Sequence, residues 1–150
     1  MSIIIQNRQR KYPVNERKIR RWVRCILEMQ GEEESEVSLV FVNNQTIRRY
    51  NREYRGKDTV TDVLSFPMRE GKCIGGEAGK ILLGDLMISL EKTYEEAPLF
   101  YRSGADQLLF LMIHGILHLL GYDHETTPKD AARMKRRERT IYKAVELDAR

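Results

Sequence analysis

The sequence predicts a small layered domain of the α/β or α+β class, and three observations support this prediction. Short apolar runs typical of strands alternate with amphipathic helical patterns through the first half of the chain. The second half is mostly helical in pattern, and residues 105–120 are apolar on nearly every side, as in a buried central helix. The chain of 150 residues has room for one hydrophobic core and shows no repeat or linker. We therefore expect residues 1–150 to form a single domain.

The first half of the chain predicts three strands separated by two helices. Asn15 is a suitable N-cap for a helix whose apolar residues recur at helical spacing as far as Gly31. A shorter helix is predicted over residues 46–54, with Gly56 at its end. Pro67 stops the third strand because proline has no N–H to donate to a sheet. The predicted strands are residues 2–6, 37–42 and 62–66.

The second half predicts one more strand and then three helices. Residues 68–80 contain four glycines and predict a loop, which leads into a strand over residues 81–89. Gly84 lies inside this strand, so we expect a β-bulge or a close approach of another backbone there. Pro128 begins the last helix, which runs to about Val145. Between these elements the pattern predicts a helix over residues 90–97, a break over 98–104 and the central helix over 105–120.

Composition excludes several classes of protein. Apolar residues make up 41% of the chain and charged residues 32%, which excludes a disordered or collagen-like protein. No apolar run approaches the roughly 18–20 residues that span a bilayer, and the N-terminal apolar residues precede the basic ones, unlike a secretory signal. Cys25 and Cys73 show no pairing pattern, which favours a reducing compartment. We expect a cytoplasmic protein with no membrane partner.

The positive charge is concentrated near the N-terminus. The net charge is +4, and between Arg8 and Arg24 eight basic residues are opposed by Glu16 alone. A basic region of this kind favours a polyanionic partner, nucleic acid first. An ordinary solvated helix face explains the charge equally well. The candidate nucleic-acid contacts on the predicted helix are Arg17, Arg20, Arg21 and Arg24.

The three histidines of the chain have the spacing of a metal site. All lie between residues 114 and 124, and His114 and His118 project from one face of the predicted central helix. Gly121 can end that helix in the left-handed conformation, so that the chain doubles back and brings His124 towards the same point. Three imidazoles leave one coordination position open, which is typical of a catalytic zinc site. The alternative is three buried histidines that each have a hydrogen-bond partner in the core.

The same spacing occurs in the zinc peptidases with the motif HExxHxxGxxH. In those enzymes a glutamate follows the first histidine and acts as the general base, whereas this chain has Gly115 there. General-base catalysis contributes about 10²–10⁴-fold to a rate. The glycine therefore favours a reaction that needs the metal but not this carboxylate.

Three sequence blocks together resemble the YbeY family of bacterial endoribonucleases. The run HGILHLLGYDH over residues 114–124 is similar to the family signature. Upstream, YRGKD at 54–58 with TDVLSFP at 61–67, and LGDLMIS at 83–89, resemble two further blocks in the same order. The resemblance extends over nearly the whole chain. One departure is Gln107, where the family often has glutamate.

This resemblance implies a fold, an activity and partners. The fold is a mixed four-stranded sheet flanked by helices, with one zinc ion per chain held by the three histidines at the mouth of a cleft. The activity is that of a single-strand-specific endoribonuclease that matures the 3′ end of small-subunit ribosomal RNA and serves ribosome quality control. The implied partners are single-stranded and ribosomal RNA and small-subunit assembly components.

Arg55 and His114 are the predicted catalytic residues. The functional arginine of the family's second block falls on Arg55, whose planar guanidinium can bind two phosphate oxygens. A cation at the end of a helix, favoured by the helix dipole, explains Arg55 without a catalytic role. Lys57 is a weaker candidate for the same groove.

Three aspartates near the matched blocks are candidates for orienting a ligand histidine. Asp85 and Asp123 are predicted as such partners, and Asp62 is a third possibility. Asp123 equally suits a role in the turn around Gly121. Met134 has the phase of a core residue on the last helix.

Two further functions stay open beside the zinc-dependent endoribonuclease. One is a metallopeptidase like those that share the histidine spacing. The other is a non-catalytic ribosome-assembly factor that uses the basic helix over residues 15–30 and a purely structural metal.

Overall fold

The structure is a computed structural model and describes residues 2–68, 81–123 and 127–148. Within these residues, four strands and five α-helices follow one another in the predicted order, so the expected fold class is confirmed. A short 3-10 helix, Ala97–Phe100, fills the predicted break before the central helix. The strands are β1 (Ser2–Asn7), β2 (Ser35–Val42), β3 (Val63–Pro67) and β4 (Ile81–Ser89), and the helices are α1 (Glu16–Met29), α2 (Asn44–Arg55), α3 (Leu90–Glu96), α4 (Gly104–Leu119) and α5 (Pro128–Asp148).

The strands form one mixed sheet in the spatial order β1-β2-β4-β3. β1, β2 and β4 are parallel, whereas β3 pairs antiparallel with β4 at one edge. The main core lies on the face covered by α1, α4 and α5, where Leu39 and Leu86 are fully buried. A smaller cluster under α2, around Ile47 and Met87, lies on the other face. The edge strand β3 contacts α4 on one side and α2 on the other.

Several predicted boundaries move by one to three residues, and two of these shifts have clear local reasons. β2 begins at Ser35 rather than at residue 37 because Glu36 already pairs with strands on both sides. α2 begins at Asn44, two residues earlier than predicted, because the Asn43 side chain accepts a hydrogen bond from the Thr46 amide at 2.9 Å. Most of the predicted loop over residues 68–80 lies outside the described residues.

The predicted helix caps are confirmed. The Asn15 side chain accepts a hydrogen bond from the Lys18 amide at 3.1 Å, which satisfies a free N–H in the first turn of α1. Gly56 caps α2 with φ +69°, a left-handed conformation that glycine adopts without strain. The last residue of α2 is therefore Arg55, and the chain turns sharply after it.

Two glycines allow close packing around β4. The β2–β4 register skips Leu83, and Gly84 has φ +144° with the position of an absent Cβ only 2.2 Å from the Phe66 carbonyl oxygen. The predicted bulge and the close backbone approach are therefore both present. On α4, a Cβ at Gly115 would lie 2.8 Å from a Leu86 methyl carbon. Glycine at this position lets α4 approach the sheet closely.

α4 is the central helix that its apolar pattern predicts. Most of its buried residues belong to the main core, and α4 contacts α1, α3 and α5 as well as two strands. The helix has 16 residues, and within the described part of the chain no helix has the length and apolar character to cross a membrane.

Candidate active site

A cleft of about 560 Å³ opens between the C-terminal part of α4 and the edge strand β3. We call it the histidine cleft because His114 and His118 line it. Arg55, at the end of α2, and Asp123, in the turn after α4, line the same cleft. Segments far apart in the sequence therefore meet here. The other lining residues are Thr61, Asp62, Val63, Leu64, Ser65, Pro67, Gly121 and Tyr122.

The two helical histidines have the geometry of a pair of metal ligands. Their Nε2 atoms are 3.2 Å apart, and the rings are nearly perpendicular at 76° with centroids 4.6 Å apart. Two nitrogens bound to tetrahedral zinc at 2.0–2.1 Å are separated by about 3.3 Å. The Nε2 atoms of His114 and His118 therefore fit zinc as it binds in proteins.

The third predicted ligand, His124, lies outside the described residues. The chain does turn back after α4 as the sequence predicts, because Gly121 has φ +96° and the Tyr122 amide donates to the Leu117 carbonyl at 3.0 Å. The turn directs Asp123, the residue before His124, into the cleft. In the ranges 2–68, 81–123 and 127–148 no group of three or more potential metal ligands is found.

Glu138 on α5 is a site residue that the sequence analysis missed. Its carboxylate Oε1 is 3.6 Å from Nδ1 of His114, and the residue is only 5% exposed. A carboxylate behind the remote nitrogen of a histidine typically orients a metal ligand and raises its basicity. The signal was present in the sequence, since Glu138 interrupts the buried stripe that includes Met134 and Ile141. Met134 itself is fully buried in the main core, as expected.

Arg55 lines the same cleft as His114 and His118. It is the last residue of α2, its side chain is exposed, and it lines the cleft. Lys57, two residues later, is exposed but is not among the lining residues.

Asp62 and Glu96 form a carboxyl pair beside the histidine cleft. Asp62 lines the cleft, and its Oδ1 accepts a hydrogen bond from the Val63 amide at 2.7 Å. Burial first, and the neighbouring Asp62 carboxylate second, raise the pKa of Glu96 above its usual value. Lys92, 3.7 Å from Glu96, acts in the opposite direction. The pair places negative charge on one side of the cleft.

Asp85 is not brought to the histidines, contrary to the sequence prediction. Successive residues of a strand face opposite sides of a sheet. Leu86 packs against α4, so Asp85 faces the other side, where it lines a second cleft with Tyr54 and Phe66. The strand alternation that buries Leu86 therefore prevents Asp85 from supporting a ligand on α4.

The basic residues of α1 do not line the histidine cleft. Arg17, Arg21 and Arg24 are exposed on α1, as predicted. Arg20 differs, because it is half-buried and its Nη1 donates a hydrogen bond to the Ile3 carbonyl at 2.6 Å. This bond joins α1 to β1, so Arg20 has a structural contact that the charge pattern did not indicate.

Comparisons with known proteins cover nearly the whole chain. The family model described as Endoribonuclease YbeY matches residues 4–146. The chain is 41% identical over 149 residues to the Endoribonuclease YbeY of Geobacter metallireducens, covering 99% of this chain and 98% of that protein. It is 40% identical over 151 residues to that of Alkaliphilus oremlandii, covering 98% and 99%. The solution structure of TM1509 from Thermotoga maritima is similar with a TM-score of 0.67 and 26% identity, over 97% of this chain and 90% of that one.

Proposed function

The chain belongs to the YbeY family of endoribonucleases, and from this premise we propose that it is a zinc-dependent endoribonuclease specific for single-stranded RNA. Its substrate is ribosomal RNA, matured at the 3′ end of the small-subunit RNA, and it also serves ribosome quality control. It acts in the cytoplasm with small-subunit assembly components. One zinc ion per chain is held by His114, His118 and His124.

The observation that carries this proposal is the convergence of two imidazole Nε2 atoms, 3.2 Å apart, in a cleft that Arg55 also lines. Neutral imidazoles are the commonest metal ligands in proteins, and a guanidinium is a preferred partner of phosphate. A metal site and a phosphate-binding cation in one cleft are what cleavage of a phosphodiester needs.

The residues of the histidine cleft discussed above then have distinct roles. Zinc, when bound, supplies Lewis acidity and lowers the pKa of water towards neutrality. His114 and His118 hold the ion, and the Glu138 carboxylate, 3.6 Å from Nδ1 of His114, orients the His114 ring. Arg55 binds the non-bridging oxygens of the scissile phosphate and stabilises the negative charge that accumulates there during attack.

A peptidase is disfavoured by packing as well as by sequence. The position of the peptidase general base is Gly115, and a Cβ there would lie 2.8 Å from Leu86. A side chain at this position would therefore require the buried Leu86 side chain to move. The cleft that His114 and Arg55 share also argues against a purely structural metal, because a structural site has no use for a phosphate-binding cation.

The test combines metal analysis with cleavage. Purified protein is assayed on fluorogenic single-stranded RNA and on casein, with and without chelator. We expect chelator-sensitive cleavage of RNA alone and one zinc per chain. His114→Ala, His118→Ala and His124→Ala should each lose zinc, because a three-ligand site has no ligand to spare.

Cys25→Ala is the matched control, since it removes a potential metal ligand outside the cleft and should retain zinc. Stoichiometric zinc in a protein that carries all three alanines, or RNA cleavage that survives complete removal of metal, would contradict the proposal.

A further inference from the structure

A second cleft, of about 400 Å³, lies on the opposite face of the sheet from α4. We call it the aromatic cleft, because Tyr50, Tyr54 and Phe66 line it. Asp85 on β4 contributes to its floor, and Arg8, after β1, lies at its margin. None of these residues has a part in the chemistry proposed above.

The three aromatic side chains contact one another in a continuous cluster. Tyr50 and Tyr54, one turn apart on α2, stack with ring centroids 5.8 Å apart and planes within 7°. Phe66 on β3 meets Tyr54 edge-to-face at 5.6 Å and 77°. Tyr54 is nevertheless 66% exposed. Its ring is therefore fixed by two neighbours and still offers most of its surface to a ligand, which suits a planar ligand that stacks.

The charges around the aromatic cleft favour a nucleobase rather than a phosphate at its floor. Asp85 is half-buried, and in the described part of the chain no donor makes a hydrogen bond to its carboxylate. A carboxylate repels phosphate but accepts hydrogen bonds from the amino groups of bases. Two arginines lie at the rim, where backbone phosphates would lie. Arg8 lines the cleft, and the guanidinium of Arg49 is 5.4 Å from the centroid of the Tyr50 ring.

The two clefts are adjacent, because consecutive residues of α2 and of β3 line one cleft and then the other. Tyr54 lines the aromatic cleft and the next residue, Arg55, lines the histidine cleft. On β3, Phe66 lines the aromatic cleft while its neighbours Ser65 and Pro67 line the histidine cleft. A single strand that crosses the end of α2 would pass directly from one cleft to the other.

We propose that the aromatic cleft is a nucleobase-binding subsite, in which an unstacked base of the single-stranded RNA stacks on Tyr54 next to the cleavage site. The inference rests on the proposed function, because it assumes an RNA substrate in the histidine cleft. Stacking supplies affinity that is insensitive to salt, and the rim arginines bind the flanking phosphates.

The test measures equilibrium binding of a short fluorescent single-stranded RNA by anisotropy, with a gel to show that the RNA is intact. Loss of one base–aromatic stack corresponds to an increase in Kd of about 5- to 150-fold. We expect this increase for Tyr54→Ala and only a small change for Tyr54→Phe, which retains the ring. Tyr101→Ala is the matched control, because Tyr101 is 98% exposed and lines neither cleft.

An abasic substitution in the RNA makes the test specific. The abasic site is placed at each position of the oligonucleotide in turn. At one position it should raise the Kd for the wild-type protein by the same factor as Tyr54→Ala does. An RNA with the abasic site at that position should bind the Tyr54→Ala variant no more weakly than the intact RNA does, because the two changes remove the same contact.

Unchanged affinity of Tyr54→Ala, or additive losses at every abasic position, would overturn the subsite and leave the cleft to a different occupant such as a protein. The proposed function fails separately, through absence of chelator-sensitive cleavage by the wild type.

Discussion

The two clefts lie on either side of β3 and differ in how their side chains are held. In the histidine cleft, His114 belongs to the buried helix α4, and the buried Glu138 stands behind it. In the aromatic cleft, Tyr54 belongs to the exposed helix α2 and keeps most of its surface open. Chemistry requires atoms fixed to within a fraction of an ångström, whereas affinity for a flexible strand requires accessible surface. The difference suits the roles proposed above, catalysis in the histidine cleft and binding of the RNA strand in the aromatic cleft.

The largest expected effect is on the rate of RNA cleavage, at Arg55 in the histidine cleft, next to Tyr54 in the aromatic cleft. We expect Arg55→Glu to lower RNA cleavage by at least about 100-fold, because the charge that stabilises the attacked phosphate is reversed. Arg55→Lys should restore only part of the rate, since an ammonium lacks the bidentate fork. Zinc content and melting temperature should stay near the wild-type values. Cleavage, zinc and melting temperature are measured on the same samples.

Arg139→Glu serves as the control for this charge reversal, because Arg139 is exposed on α5 and lines neither cleft. If Arg55 served only to stabilise the end of α2, lysine would replace it fully. Glutamate would then reduce stability by about 0.3–1 kcal/mol through the helix dipole, together with activity.

A smaller effect, on the affinity for zinc, tests whether Glu138 supports His114 as a metal ligand. Glu138→Gln keeps the shape of the side chain but removes the charge that faces His114 Nδ1. We expect the affinity for zinc to fall about 10- to 100-fold, measured by competition with a chromogenic chelator. Met134→Leu, at a buried position of the same helix, should leave the affinity unchanged. Unaltered zinc affinity with a lower melting temperature would assign Glu138 to the core alone.

The basic face of α1 provides a comparison with both clefts. Changing Arg17 and Arg21 together to glutamate should weaken RNA binding and flatten its dependence on salt by about 0.7 in log–log slope per lost phosphate contact. The rate of cleavage at saturating RNA should be preserved. The control variant changes Arg136 and Arg139 on α5 to glutamate, which alters the net charge by the same amount. An affinity and a slope that match the wild type would make α1 an ordinary solvated helix.

The smallest effect concerns the carboxyl pair beside the histidine cleft. The pKa of Glu96 is raised by burial and by Asp62, so its ionisation opposes folding. The stability it contributes is complete below its ordinary pKa and is lost as the pH rises through the raised value. Glu96→Gln should therefore raise the melting temperature at pH 8 and not at pH 4, by a free energy within about 0.5 kcal/mol. An equal rise in melting temperature at both pH values would contradict a raised pKa of Glu96.

Local signals predicted most of the elements, and they predicted the two helical histidines. The spacing of His114 and His118 determines their common face in any helix, so no knowledge of the fold was needed. Gly84 and Gly56 also indicated their roles correctly, because a bulge and a helix cap are properties of the nearby backbone. His124 lies outside the described residues, and its role as a ligand stays a prediction.

The errors arose where residues far apart in sequence meet. Asp85 was grouped with the histidines by its position in a sequence block, but the face it occupies depends on which neighbour of the strand is buried. Glu138 was overlooked because its partner, His114, is 24 positions away in the numbering and on another helix. The contact of Arg20 with the Ile3 carbonyl likewise depends on how α1 crosses β1.

The strand order has a consequence for how the chain folds during synthesis. β4 lies between β2 and β3, and β3 pairs with no strand other than β4 among those described. While only the first 67 residues have left the ribosome, β3 has no partner and one edge of β2 is open. Unpaired edges of this kind are prone to associate with other chains. The sheet can be completed only once β4 has emerged. Because α4 follows β4 in the chain and α5 follows α4, His114 and then its neighbour Glu138 are added after the sheet is complete.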